Sequence, residues 1–243
     1  MWKKQKIGLI LPTYNEKDSI RKCIEDFEAL GIIDEIIVVN NNAADGTTEE
    51  VSKTSAVEVF ENEQGYGAAI QRGFRETKSD LIFVCEPDGT FDAQDVYKFL
   101  AYVDELDAVY GSRTVRYFVW QGSNMGPFIR IGNWAVAKLM QVLYNTNSLS
   151  DVGCTFRVIR ADALKKIQKH FQIKSSFFGP EMMLLTRHFK LSFIQIPVNY
   201  KPRVGTSSVT GSFKKTVIVG LQMIWLIFTF RLRRLPSPKH KKG

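Results

Sequence analysis

Histidine and cysteine are scarce in this chain, and neither is arranged for chemistry of its own. The three histidines, His170, His188 and His240, share no metal-ligand spacing, which removes zinc-hydrolase patterns. The three cysteines, Cys23, Cys85 and Cys154, form no CxxC pair, and an odd number cannot all pair internally. Reduced thiols in a cytosolic compartment are the simplest reading. No secretory leader is visible: Met1-Trp2-Lys3-Lys4-Gln5-Lys6 runs straight into Ile7–Leu11 and then Pro12, too short an apolar run for a signal. Internal repeats and low-complexity segments are also lacking. Acidic residues stop at Glu181, so residues 201–243 carry +10 while residues 1–200 sum to −2, within a total of +8. A near-neutral body with a basic tail argues against a general nucleic-acid surface. It fits a tail that meets something anionic, such as a membrane face.

What is present is an ordinary globular composition, 44% hydrophobic over 243 residues, enough for one large domain with its own core. Ile7–Leu11, Glu35–Val39, Val57–Phe60, Leu81–Cys85 and Ala108–Tyr110 read as buried strands. Ser19–Leu30, Thr47–Thr54, Gly67–Thr77 and Ala93–Val103 lie between them with helical periodicity. This alternation predicts an α/β domain, a largely parallel sheet with helices on both faces. Helical patterns follow at Gly126–Tyr144, Ala161–His170 and Pro180–Phe189, and a late strand at Leu191–Val198.

Ligands of such sheets bind beyond the carboxyl ends of the strands. Four successive strand ends carry polar or acidic groups. They are Pro12-Thr13-Tyr14-Asn15-Glu16, the run from Asn40 to Thr47, Glu86-Pro87-Asp88-Gly89-Thr90, and Gly111-Ser112-Arg113. Any one of these could be turn chemistry, but their convergence describes a site. Glu86 and Asp88, one residue apart, can face one hard cation, Mg²⁺ or Mn²⁺, which would share its coordination with phosphate oxygens. Such an ion neutralises charge on a leaving diphosphate. Arg113, Arg130 and Arg203 supply forks that suit a second phosphate. A phosphate monoester, with a second pKa of about 6, is already largely a dianion and needs no general base to attack carbon. A hydroxyl acceptor would need one, and Asp151 is the only candidate. Gly65-Tyr66-Gly67 forms part of a GxGxxG, but Ile70 breaks it and it follows the third strand, which disfavours a nicotinamide-dependent dehydrogenase.

Taken in order, Leu11–Glu16, Asp45-Gly46-Thr47, Glu86-Pro87-Asp88, Gly111-Ser112-Arg113, Asp151–Arg157 and Pro197–Gly205 resemble the family-2 inverting glycosyltransferases of the GT-A fold. Within that family the pattern is most similar to dolichyl- or polyprenyl-phosphate mannose or glucose synthases, over nearly all of residues 5–210. The resemblance implies that Pro12, Tyr14, Glu16, Asn40, Asn41 and Gly67 lie around the donor nucleotide. It implies that Glu86 and Asp88 hold the metal, and that Arg113, Arg130, Arg203 and Ser207 bind the acceptor phosphate. It implies catalytic positions at Asp88, Arg113 and Asp151. The partners would be a GDP- or UDP-sugar and a polyprenyl or dolichyl phosphate, and inversion would give a β-linked product; the alternatives are transfer to a hydroxyl acceptor or a non-catalytic subunit of a membrane glycosylation complex. The chain departs from the pattern in four places. Asn40-Asn41 stands where Asp-Asp is usual, Glu86 replaces the first Asp, Thr90 replaces a Gln, and Ser207-Ser208 stands where Ser-Lys is usual.

The division expected is a catalytic domain at 1–210 and a membrane-associating tail at 211–243. Val217–Phe230 is an apolar stretch of 14 residues, shorter than the about 20 needed to span a bilayer. Lys215, Gln222 and Thr229 fall on one narrow polar stripe, with Arg231-Leu232-Arg233-Arg234 behind. This predicts an amphipathic helix in the interface at the cytoplasmic face of a membrane, with the protein peripheral. The alternatives are packing on the domain's own core, on a membrane-protein partner, or on a second copy.

Overall fold

The computed structural model describes residues 1–123, 125–205 and 212–236. Seven strands form one sheet: β1 (Ile7–Thr13), β2 (Glu35–Asn40), β3 (Val57–Phe60), β4 (Leu81–Val84), β5 (Ala108–Ser112), β6 (Arg157–Arg160) and β7 (Phe193–Pro197). Their order is β3-β2-β1-β4-β6-β5-β7. All pairings are parallel except those of β6, which runs antiparallel between β4 and β5. Strands covered on both faces read as continuous apolar runs, as β1 does with every residue buried. The antiparallel β6 was not anticipated. Its sequence offers only Val158-Ile159 between two arginines, so its strand character comes from its neighbours.

The helices are α1 (Lys17–Glu28), α2 (Thr47–Val51), α3 (Tyr66–Glu76), α4 (Val96–Val103), α5 (Pro127–Tyr144), α6 (Ala161–Ile167), α7 (Phe178–His188) and α8 (Phe213–Thr229). They cover both faces, as expected. On one face α1 sets Ile20, Ile24 and Phe27 against Leu9 and Leu11, beside α4. This is the i, i+4, i+7 stripe of an amphipathic helix. On the other face α3, α5, α6, α7 and α8 share a core with Ile10 and Val84. All three cysteines are buried and unpaired.

Strand order reverses beside β1: its chain continues to β2 on one side, while β4 flanks it on the other. The main-chain bonds there explain why a proline sits in a central strand. Ile10 faces β4, its carbonyl accepting from the Cys85 N–H, while the Thr13 carbonyl faces β2 and accepts from Asn41. Pro12 has the parity of Ile10 but lies beyond the last paired residue of β4, Val84. Its missing N–H therefore costs no ladder bond. The sheet opens at that point, and the site lies in the opening.

The C-terminal helix is two-faced. Met223, Leu226, Ile227 and Phe230 are buried in the same core as the sheet. The Tyr144 hydroxyl donates to the Ile227 carbonyl at 2.6 Å, and Arg233 pairs with the buried Glu181 at 2.5 Å. Ile218, Leu221, Trp225 and Phe228 point outward, with Trp225 71% exposed. The apolar cylinder predicted from the sequence thus divides into a face packed on the domain and a face turned away from it.

Phe156 leads into β6 and packs edge-on or tilted against Phe27, Phe83, Phe91 and Phe99, with centroids 4.7–6.2 Å away. Phe156→Ala should lower unfolding free energy by about 3–5 kcal/mol in urea denaturation. A loss below about 1 kcal/mol would show that this cluster does not organise the core.

Candidate active site

Three carboxylates meet at the switch point. Glu16 ends the β1–α1 turn, where its Oε2 accepts the Tyr14 and Asn15 N–H groups at 2.7 and 2.9 Å. Its Oε1 accepts from Arg203 Nη2 at 2.8 Å. Asp88 follows β4 and is fully buried. Its Oδ1 accepts the Thr90 N–H and hydroxyl, at 3.0 and 2.6 Å. Its Oδ2 is buried and accepts no hydrogen bond of good geometry, although Arg203 Nη1 lies 3.0 Å away. Glu86 Oε2 is 3.9 Å from the same nitrogen. The Ser19 hydroxyl donates to the Pro87 carbonyl at 2.6 Å, tying this turn to α1. Burial and the neighbouring Asp88 charge push the Glu86 carboxyl well above the usual range, against the pull of Arg203.

An orphaned buried carboxylate oxygen beside a second carboxyl is a donor set that fits a hard divalent cation. Among the described residues no three His, Cys, Asp or Glu side chains are arranged to hold such an ion alone. An ion at Glu86 and Asp88 would therefore complete its shell with oxygens from a ligand or water.

A second charged pair lies at the end of β5. Arg113 donates through Nε and Nη2 to the two oxygens of Asp151, at 2.8 and 3.0 Å. Asp151 also accepts the Arg113 and Gly153 N–H groups at 3.0 and 2.9 Å. Burial opposes the Asp151 charge, but Arg113 and these donors outweigh it and hold the carboxyl below its usual range. Gly153 is closely approached: a Cβ there would sit 2.8 Å from Asn133 Oδ1 and 3.0 Å from Arg113 Nη2, and would push both side chains aside. Asn133 lies one helical turn beyond Arg130, so Arg130 projects from the same face of α5. The Arg113 guanidinium carbon stands 5.3 Å from the Tyr200 ring, at the root of the loop that carries Arg203.

Other expected site residues fall differently. Tyr14 is exposed at the mouth and Pro12 is buried in the sheet. The side-chain amides of Asn40 and Asn41 are committed elsewhere. Asn40 donates to Glu58 Oε1 at 2.8 Å and accepts from the Ala43 N–H. Asn41 donates to the Glu61 and Glu63 carbonyls and accepts from the Gly65 N–H. These bonds hold the chain around the site together. Gly67 is likewise a packing glycine, where a Cβ would lie 2.5 Å from the Ile173 carbonyl. Ser207 lies outside the described residues. Sequence reasoning missed Gln195, whose Oε1 accepts the Ser150 N–H at 2.7 Å and whose Nε2 donates to the Gly111 carbonyl at 3.2 Å. A polar residue in the middle of an otherwise apolar strand was the available signal.

The sequence profile of Glycosyl transferase family 2 matches residues 9–168. A low-salt glycan biosynthesis hexosyltransferase of Haloferax volcanii is 26% identical over 209 residues, covering 84% of this chain and 49% of that protein. The chain thus spans about half the length of that relative. The undecaprenyl-phosphate mannosyltransferase of Micrococcus luteus is 24% identical over 226 residues, 87% of this chain and 90% of that one. The glucosyl-3-phosphoglycerate synthase of Mycobacterium tuberculosis, solved with Mn²⁺, UDP and its product, superposes with a TM-score of 0.73 at 15% identity. That match covers 94% of this chain and 80% of the other, and shows a shared GT-A fold.

Asp151→Asn leaves the buried Arg113 without its counter-charge and should cost about 3–5 kcal/mol near neutral pH. Because the folded carboxyl is depressed, its stabilisation is present above the unfolded value of about 3.9 and is lost as pH falls below it. Urea denaturation from pH 7 to pH 3 should show native and variant curves converging on acidification. A constant gap would sink this reading of the pair.

Proposed function

The chain belongs to glycosyl transferase family 2, and from that premise we propose that it moves a hexose from a GDP- or UDP-sugar to a polyprenyl phosphate with inversion. One observation carries the choice of acceptor: Asp151 is 1% exposed and both its oxygens are occupied by Arg113 and main-chain donors. The one base that a hydroxyl acceptor would call on is thereby a positioning group for an arginine. A phosphate acceptor needs no base, since its oxygen already carries the attacking electron pair. That oxygen forms the new bond to the anomeric carbon as the nucleoside diphosphate departs from the opposite side. Arg113, aimed by Asp151, and Arg130 on the neighbouring face of α5 orient the attacking phosphate. Glu86 and Asp88 would hold Mg²⁺ or Mn²⁺, which when bound supplies positive charge for the departing diphosphate. Glu16 and Tyr14 border the mouth where the nucleotide enters.

The lipid acceptor calls for docking at a membrane, and we infer a peripheral place on its cytoplasmic face. Phe128, Ile131 and Trp134 of α5 continue the exposed apolar face of α8, and Phe128 meets Phe213 at 5.0 Å between centroids. Lys214, Lys215 and Arg231 border this surface and suit anionic headgroups. The stretch Phe213–Leu232 has the length and composition to cross a bilayer. Its inner contacts with α5 and α7 and the Arg233–Glu181 pair favour lying along the domain.

The test of the reaction is a transfer assay with purified protein, a panel of GDP- and UDP-sugars, a polyprenyl phosphate in detergent, and Mg²⁺ or Mn²⁺ against a chelator. A mild-acid-labile glycolipid should form only with metal, and Asp88→Asn should reduce it by about 100-fold or more. Transfer to a saccharide hydroxyl with none to the lipid phosphate would overturn the proposal. For docking, Leu221→Glu with Trp225→Glu alters the outward face only. It should weaken sedimentation with anionic vesicles by about tenfold or more while leaving nucleotide binding intact. Unchanged sedimentation would assign that face to another contact.

A further inference from the structure

Arg203 lies between the groups assigned to donor and metal rather than apart from them. Its two terminal nitrogens reach Glu16 at 2.8 Å and Asp88 at 3.0 Å, with Glu86 at 3.9 Å. These contacts join the β1–α1 turn to the turn after β4, which are far apart in sequence. The loop that carries Arg203 is stitched over the same turn: the Lys201 N–H donates to the Thr90 carbonyl at 2.7 Å and the Val204 N–H to the Asp88 carbonyl at 3.0 Å. Its root is pinned to the start of α4, where Asn199 donates to Asp95. The guanidinium thus sits against Asp88 Oδ2, the one buried carboxylate oxygen here that accepts no hydrogen bond.

The other two acceptor arginines are placed differently. Arg113 is fixed by Asp151 and shares no carboxylate with the metal pair. Arg130 has no ion pair among the described residues. Among the three, Arg203 alone contacts the carboxylates, so the acceptor role that the family resemblance implies for it would need it to leave them. A divalent ion taking Asp88 Oδ2 would compete with the guanidinium for the same oxygen, and its two charges would repel Arg203.

We propose that Arg203 is an exchangeable internal cation, which balances Glu16, Glu86 and Asp88 until a divalent ion replaces it and is then released to the phosphate of the acceptor. This rests on the glycosyl-transfer reading for the acceptor, but the exchange itself concerns only the chain and the metal. Metal loading and phosphate binding become linked through one side chain, and such linkage is reciprocal. The acceptor is then gripped fully only after the ion and the donor it accompanies are in place.

The test is a Mn²⁺ titration of the full chain, followed by the electron paramagnetic resonance of the free ion, with neither nucleotide nor acceptor present. Arg203→Gln removes the competing charge and should bind Mn²⁺ about tenfold more tightly than the native protein. Arg203→Lys keeps the charge but loses the fork, and should fall between the two. An Arg203→Gln protein that binds no more tightly than native overturns the proposal, as does Arg203→Lys binding more weakly than native. Asp88→Asn should abolish binding, and retained affinity would put the ion elsewhere and also overturn it. The titration needs no sugar transfer. A failed transfer assay beside the expected order of affinities would therefore reject the acceptor and keep the exchange.

Discussion

Three carboxyl groups gathered around the buried Asp88 disfavour one another's charge, as the raised Glu86 carboxyl shows, and a fold that gathers them benefits from a cation there. Glu16, Glu86 and Asp88 converge because β1 and β4 are neighbours at the place where strand order reverses. In water their repulsion would be slight, but burial multiplies it several-fold. Arg203 relieves it with a single side chain at 2.8–3.9 Å from all three. The placement of the late loop follows from this need, since its main chain is stitched to Thr90 and Asp88 beneath the guanidinium. A charge cluster of this kind is costly as a structural device, because buried ion pairs seldom stabilise more than apolar packing would. Its retention makes physical sense where the charges have work to do on a ligand.

The Arg113–Asp151 pair obeys the same rule with the opposite result. Here one carboxylate meets one guanidinium in a two-pronged contact, and two main-chain N–H groups complete the acceptor. Nothing is left over on Asp151, and its charge is locked. The two sites thus separate two functions of arginine. A saturated pair fixes an orientation, as Asp151 does for Arg113. An unsaturated cluster keeps a cation position that other cations can contest, as the Asp88 oxygen does. A carboxylate's chemical role depends on the number of donors already spent on it, and residue type alone does not reveal that number.

This distinction marks what the sequence could tell. The strands at Ile7–Thr13, Glu35–Asn40, Leu81–Val84 and Ala108–Ser112 were legible because strands buried on both faces are written as apolar runs. The positions of Glu86, Asp88 and Arg113 at strand ends were legible for the same reason. Val57–Phe60, expected to be buried, is instead an exposed edge strand, legible from its β-branched and aromatic residues. β6 was not, because Arg157 and Arg160 bound its two apolar residues and its pairing partners decide its conformation. The commitments of Asn40 and Asn41 were hidden too. Their partners, Glu58 and the chain from Glu61 to Gly65, become neighbours only once β2 and β3 pair. Nor could the sequence show that Arg203 lies on Glu16 and Asp88, since those contacts span from residues 16 and 88 to residue 203.

The C-terminal helix makes the same point about hydrophobicity. A stretch apolar almost all round is compatible with spanning a membrane, lying in it or filling a core. The structure divides that surface, with Leu226 and Ile227 sealed against the sheet's own core and Leu221 and Trp225 outside it. The inner half makes the tail part of the domain's packing: removing it would uncover the core and leave Glu181 without Arg233. The outer half remains an apolar surface continuous with the start of α5, the helix that also carries Arg130.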